Sequence, residues 1–351
     1  LKSKAIKIDL AVSFQLKNNG WSLYNLVMVK EAKNVKTMTC KACKVPCKRF
    51  GINRNGTIRF RCPDCRKTFS EPRKSLFGNM TIPTEKALSI LNLFIEGTSV
   101  RSTERLTGVH RDTILRVLVV AGEKCEKLMG RLIVNVPVKD VEADEIWGFV
   151  QKKEAHKWPH EAHDNSIGDA YCFVGIERHT KLILNFALGR RDLATTQIFI
   201  EGLRHATADQ HFQITTDGFK PYVSAICDTL EDRVSFAQLI KVYGKNEEGR
   251  EARYSPSEVV DTEVVPVFGN PERARVCTSI VERQNLTIRM QMRRLTRLTN
   301  AFSKKWENLW AAYCLHFAYY NFCRIHRSLR VTPAMEAKIT DHIWTIEELL
   351  A

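Results

Sequence analysis

Three carboxylates stand out by their surroundings. Glu282 lies in the run Ser279 to Lys305, which reads as one helix with two faces. At about 100° per residue, Glu282, Leu286, Arg289 and Arg293 fall near a single line, so a carboxylate sits beside a ladder of arginines. Val281, Ile288, Met292 and Leu295 form a separate apolar stripe suited to a core. Asp217 ends the strand-like segment Phe212-Gln-Ile-Thr-Thr and precedes Gly218. Asp144 lies within Asp140-Val-Glu-Ala-Asp-Glu-Ile-Trp-Gly-Phe-Val, a strand that starts acidic and ends apolar. One carboxylate seldom holds a catalytic divalent cation alone, whereas several converging ones suit Mg²⁺ or Mn²⁺. The bland reading of the Glu282 helix is a solvated face with one ion pair.

Four cysteines offer different chemistry. Cys40-Lys-Ala-Cys43 and Cys62-Pro-Asp-Cys65 are two Cys-x-x-Cys knuckles whose thiolates can close a tetrahedron around one Zn²⁺. Turns are expected at Gly51, Asn55 and Gly56, with a short strand over Thr57-Ile-Arg-Phe-Arg. So small a segment needs the metal for its folding energy. Cys47 is a spare that could replace Cys40 or Cys43. Lysines and arginines crowd the segment, which suits phosphate contacts. Cys125, Cys172, Cys227, Cys277, Cys314 and Cys323 read as small buried hydrophobes.

The chain has 351 residues, and its 54 Lys and Arg against 39 Asp and Glu leave a net charge of +15. That balance favours a polyanion partner, nucleic acid first and an acidic membrane surface second. No apolar run reaches the roughly 18 residues that a spanning helix needs. Nothing near the start reads as a signal peptide, so the expected place is the cytoplasm, in association with the nucleoid. Residues 1–36 are assigned no function and read as a leader.

The positioning elements follow in order. Residues 37–75 read as a zinc ribbon and 80–130 as a helical DNA-binding region. Thr107-Gly108-Val109 would be the tight turn of a helix-turn-helix, with Arg111, Thr113 and Arg116 on the second helix placed to meet DNA. A plain helical hairpin is the competing reading. From residue 137 on, three strands are followed by helix, strand, helix and strand, then by the helix of Glu282. His156, His160 and His163 read as a hydrated loop, and residues 245–278 as a long inserted loop. Phe302 to Ile325 reads as a core helix. This order is the α/β ribonuclease H-like layout, with a mixed five-stranded sheet. In it, the first and fourth strands lie side by side, and Asp144 and Asp217 would face Glu282. Glu145 is expected on the opposite sheet face and Glu142 a full pleat away. Asp228 and Asp232 compete weakly, as solvated acids at the far end of a helix.

Taken together, the chain resembles a DDE-type insertion-sequence transposase, closest to the IS-one group. The resemblance runs from about Cys40 to Glu348. It is carried by Arg61-Cys-Pro-Asp-Cys-Arg-Lys-Thr-Phe, by Asp144-Glu-Ile-Trp-Gly-Phe-Val, by Thr216-Asp-Gly-Phe-Lys-Pro-Tyr, and most strongly by Val281-Glu-Arg-Gln-Asn-Leu-Thr-Ile-Arg running on to Ala301-Phe-Ser-Lys. It implies an end-recognition region joined to a ribonuclease H-like nuclease, with Asp144, Asp217 and Glu282 as catalytic acids. Two Mg²⁺ or Mn²⁺ ions and one structural Zn²⁺ are expected, with Arg289, Arg293, Arg294 and Arg297 along the DNA. The expected partners are the double-stranded DNA of transposon ends and target, and further copies of the chain. A DNA-binding regulator derived from a transposase and a structure-directed nuclease are the alternatives. The long segment 245–278 and the leader depart from the family pattern.

Overall fold

The computed structural model describes residues 38–54, 56–71, 76–78, 80–244 and 259–351; the leader, Asn55 and residues 245–258 of the expected loop lie outside them. The chain divides into two units, Leu1–Pro72 and Arg73–Ala351.

In the first unit, β1 (Met38–Thr39), β2 (Pro46–Ile52), β3 (Ile58–Arg61) and β4 (Thr68–Ser70) form an antiparallel sheet in sequential order. Its core is Cys40, Cys47, Phe60 and Cys62, flanked by Ile58 and Phe69. Each Cys-x-x-Cys is followed by a residue in the left-handed region, Lys44 (φ 59) and Arg66 (φ 57), which turns the chain back under its own sulfurs.

The second unit starts with α1 (Thr84–Ile95), α2 (Val100–Thr107) and α3 (Arg111–Leu132). Ser99 caps α2, and Gly108 at φ 66 makes the turn before α3. A six-stranded mixed sheet follows, built from β5 (Asp140–Val150), β6 (Gly168–Glu177), β7 (Ile183–Gly189), β8 (Phe212–Thr216), β9 (Val234–Tyr243) and β10 (Val259–Phe268). Its strand order is β10-β9-β8-β5-β6-β7. Helices α4 (Leu193–Ala206) and α5 (Pro221–Leu230) lie between strands in the chain, and α6 (Ser279–Gln291), α7 (Trp306–Phe322), α8 (Pro333–Glu336) and α9 (Ile346–Leu349) complete it.

Two expectations change. The sheet has six strands rather than five, because Val259–Phe268 pairs antiparallel with β9 inside the segment read as a loop. Its β-branched run supports a strand, and Pro266 is tolerated because β10 is an edge. Secondly, the run from Ser279 to Lys305 is not one helix. It ends at Gln291, and Arg293–Leu295 form a separate 3₁₀ turn. The break lets Met292 and Leu295 both bury, with Leu295 filling the space above Gly148, where a Cβ would come within 2.9 Å of it. Helices α1–α3 share one continuous buried cluster with the sheet and α7. Helix α3 is 22 residues long, and Gly122 lets it approach α7 at Ala311, where an added Cβ would lie 2.5 Å from the Ala311 Cα.

Candidate functional site

Register alone brings two of the acids together. Strand β8 is wholly buried and pairs parallel with β5, with Ala143 opposite Thr216. The next residue on each strand is Asp144 and Asp217. β8 ends there: Asp217 Oδ1 accepts the N–H of Phe219 at 3.0 Å, and the Gln238 side chain donates to the Asp217 carbonyl at 2.9 Å. Glu282 reaches the same place from α6. Asp144, Asp217 and Glu282 all line one open cleft of about 690 Å³, with Arg191, Phe219, Lys220, Lys241 and Thr278.

Within the cleft the acids are not equivalent. Carboxylate oxygens of Asp144, Glu145 and Asp217 lie within 4.8 Å of one another, a grouping able to hold a metal ion. Glu282 is engaged instead with Lys241 and with the Thr278 hydroxyl, at 2.5 Å from the latter. Asp144 Oδ2 accepts from Asn285 on α6 at 2.8 Å, which ties that helix to β5. Burial raises the Asp144 carboxyl to about 7, helped by the negative charges of Asp217, Glu145 and Glu282. Glu145 is also raised, by burial and then by Asp217. Such a repelling cluster fits a divalent cation, whose charge would reverse both effects.

The sequence reading set Glu145 aside on the opposite sheet face. Its side chain does leave that face, beside Tyr222, but the strand end beyond Thr216 leaves room for its carboxylate to converge. Arg191 bridges it to Asp217, with Nε 3.1 Å from Glu145 and Nη2 3.4 Å from Asp217. Glu142 does something different. Its Oε2 accepts the N–H groups of Ile280 (2.8 Å) and Val281 (3.0 Å), so a strand residue caps the start of α6. Asp228 and Asp232 are exposed and do not line the cleft.

The sequence missed Arg191, Lys241, Thr278 and Asn285. Asn285 was within reach, since three residues after Glu282 is the same helix face. Nothing local marked Lys241, which comes in from β9.

The arginine ladder does not survive intact. Arg289 donates to the carbonyls of Leu295 and Trp147, each at 3.2 Å, and so fastens α6 and the following turn to β5. Arg294 turns inward to Ser303 Oγ and the Asn308 carbonyl, both at 2.8 Å, and burial pulls its guanidinium down to about 10. Both guanidiniums are thus engaged within the protein. Arg293 and Arg297 are exposed. On α3, Arg111 and Arg116 are exposed and Thr113 is half-buried. His156, His160 and His163 are all exposed.

In the first unit, sulfurs of Cys40, Cys43, Cys62 and Cys65 lie within 4.8 Å of one another. Cys40 and Cys65 are 3.7 Å apart, far beyond a disulfide bond and close to the about 3.8 Å edge of a tetrahedron with Zn–S of about 2.3 Å. The Cys43 amide beside Cys40 Sγ pulls that thiol down to about 7. The four could hold Zn²⁺. Cys47 stands outside the group, and burial raises its thiol.

No protein-family model matches this chain, and no curated protein matches it. Among solved structures, it is similar to a piggyBac transposase, seen by cryo-EM in a synaptic complex with hairpin DNA. The TM-score is 0.37 at 10% identity, over 77% of this chain and 70% of that one. So loose a likeness carries no weight for function. No helix among the described residues is long and apolar enough to cross a membrane.

Proposed function

We propose that the protein is a DDE-type transposase with a ribonuclease H-like catalytic unit, acting on insertion-sequence ends and joining them to target DNA. One observation carries this reading: Asp144, Asp217 and Glu282, distant in sequence, line one cleft beside Arg191 and Lys241. Strands β5 to β9 support it, because the first and fourth of them are adjacent and parallel.

Asp144, Asp217 and Glu282 would hold divalent cations, with Glu145 an added candidate ligand. Such ions supply Lewis-acid activation of the attacking oxygen and stabilisation of the leaving oxygen in phosphodiester cleavage. The chain's own groups do the rest. Glu142 and Asn285 fix α6 against β5, which sets the distance between Glu282 and Asp144. Arg191 holds Glu145 and Asp217 in place, with its guanidinium 4.0 Å over the Phe219 ring. Lys241 pairs with Glu282 and lines the cleft; with a divalent cation on that carboxylate, its ammonium would be free for a phosphate. Water is the first nucleophile and frees a 3′-hydroxyl, which then attacks target DNA at the same centre.

The four-cysteine unit would take Zn²⁺, and with α2 and α3 it would recognise the element's ends. Arg111, Thr113, Arg116, Arg293 and Arg297 are the candidate DNA contacts. More than one copy is needed to handle two ends together.

The test uses the genomic DNA that flanks this reading frame. With Mg²⁺ the protein should nick at inverted repeats and join the freed ends to a second DNA. Nicking without joining would favour a structure-directed nuclease, and binding without nicking a regulator.

A further inference from the structure

Helices α4 and α5 cover one face of the central strands as far as Phe173, whose ring centroid is 5.8 Å from that of Phe199 and 6.1 Å from that of Tyr222. Further along that face, β5 and β6 carry Trp147, Phe149 and Tyr171, all half-exposed. Trp147 follows Glu145 on the same side of β5 and stands opposite Tyr171 on β6. Its ring is 5.8 Å from that of Phe149, and the Phe149 ring is 4.9 Å from that of Phe302. Lys153 Nζ sits 5.4 Å over the Trp147 ring. At the other end, Arg191 reaches the acid cluster through Glu145 and Asp217. The nearby acids are spoken for: Glu154 pairs with Lys157 and Arg190, and Asp169 accepts the Glu154 N–H.

We propose that this strip is a stacking platform for unpaired DNA bases next to the cleaved end. A duplex offers phosphates and hides its base faces, so it would call for many cations. Rings in a row with a few interleaved cations suit separated bases, which stack without regard to sequence. The strip starts at the carboxylates, so a strand whose phosphate lies in the cleft would lay its next bases on Trp147 and Phe149. The inference rests on reading the cleft as a nuclease centre.

Fluorescence anisotropy on the full chain, without added divalent cation, compares a blunt duplex with the same duplex carrying a short single-stranded extension. Wild type should prefer the extended DNA. Trp147→Ala should lose about tenfold on it and stay within about twofold on the blunt duplex, and Trp147→Phe should regain most of the loss. Unchanged affinity of Trp147→Ala for the extension overturns the proposal, and so does an equal loss on both DNAs. Should Trp147→Ala fail to fold, Tyr171→Ala gives the same reading by the same criteria. A wild type indifferent to the extension also overturns it. No cutting is required, so a protein that prefers the extension but never cleaves would sink the nuclease reading, and with it the place beside a cleaved end, while base stacking on the strip would stand.

Discussion

The Glu142 carboxylate accepts the backbone N–H of Val281 at 3.0 Å, so strand β5 caps helix α6 from the side. Thr278, at the usual capping position, gives no side-chain hydrogen bond to the helix backbone and turns its hydroxyl to Glu282. The cap has therefore moved to a residue that also fixes where α6 sits. Glu142→Ala should cost about 1–3 kcal/mol by orphaning the buried N–H of Val281 and the part-buried N–H of Ile280. Glu142→Gln keeps an acceptor oxygen. It also removes a charge that burial disfavours, so its stability at pH 8 should stay near wild type. Urea unfolding of both variants checks this; equal losses would contradict it.

Asp144 gives a pH-dependent prediction. Its folded carboxyl is raised to about 7, above the ordinary carboxylate value. Between about pH 4 and 7 the unfolded chain therefore loses this proton before the folded one does, and stability falls as pH rises. Metal-free Asp144→Asn should be more stable than wild type by roughly 2–4 kcal/mol at pH 8, and the gain should vanish near pH 4. Added Mg²⁺ should stabilise wild type and not the variant. Thermal unfolding across pH reads all three outcomes.

The four-cysteine unit should carry about one zinc per chain. Cys62→Ser should lose most of it and unfold that unit, because so small a core depends on its metal. Cys47→Ser should keep it, since Cys47 lies outside the group. Elemental analysis of purified protein distinguishes the two.

Gly122 is where α3 meets α7 most closely. Gly122→Val should destabilise the second unit by about 1–3 kcal/mol, because even a Cβ would overlap Ala311 and both helices are locked into the core. A shift in denaturation midpoint within error of zero would show that the helices can move apart.

Much of the sheet was legible because most of its strands are largely apolar runs with clear ends. Strand β5 was read to the residue. Strand β10 was hidden, since its Glu, Asp and Pro look like loop composition while its pairing partner is decided only by β9. The break after Gln291 was equally hidden, because helical periodicity carries on past it into a stretch whose burial is tertiary. Asp144 and Asp217 could be paired from strand order alone. Glu145 could not, because its convergence depends on where β8 stops beside β5. The carbonyl partners of Arg289 and Arg294 were not legible, because a charge pattern does not reveal backbone carbonyls waiting nearby.

The most direct test is cleavage of the element's own ends by Asp217→Asn protein in Mg²⁺. The account predicts DNA binding within about twofold of wild type and cutting lowered by about 1000-fold, as expected when a carboxylate that holds the metal is lost. Cutting at the wild-type rate by that variant would contradict it.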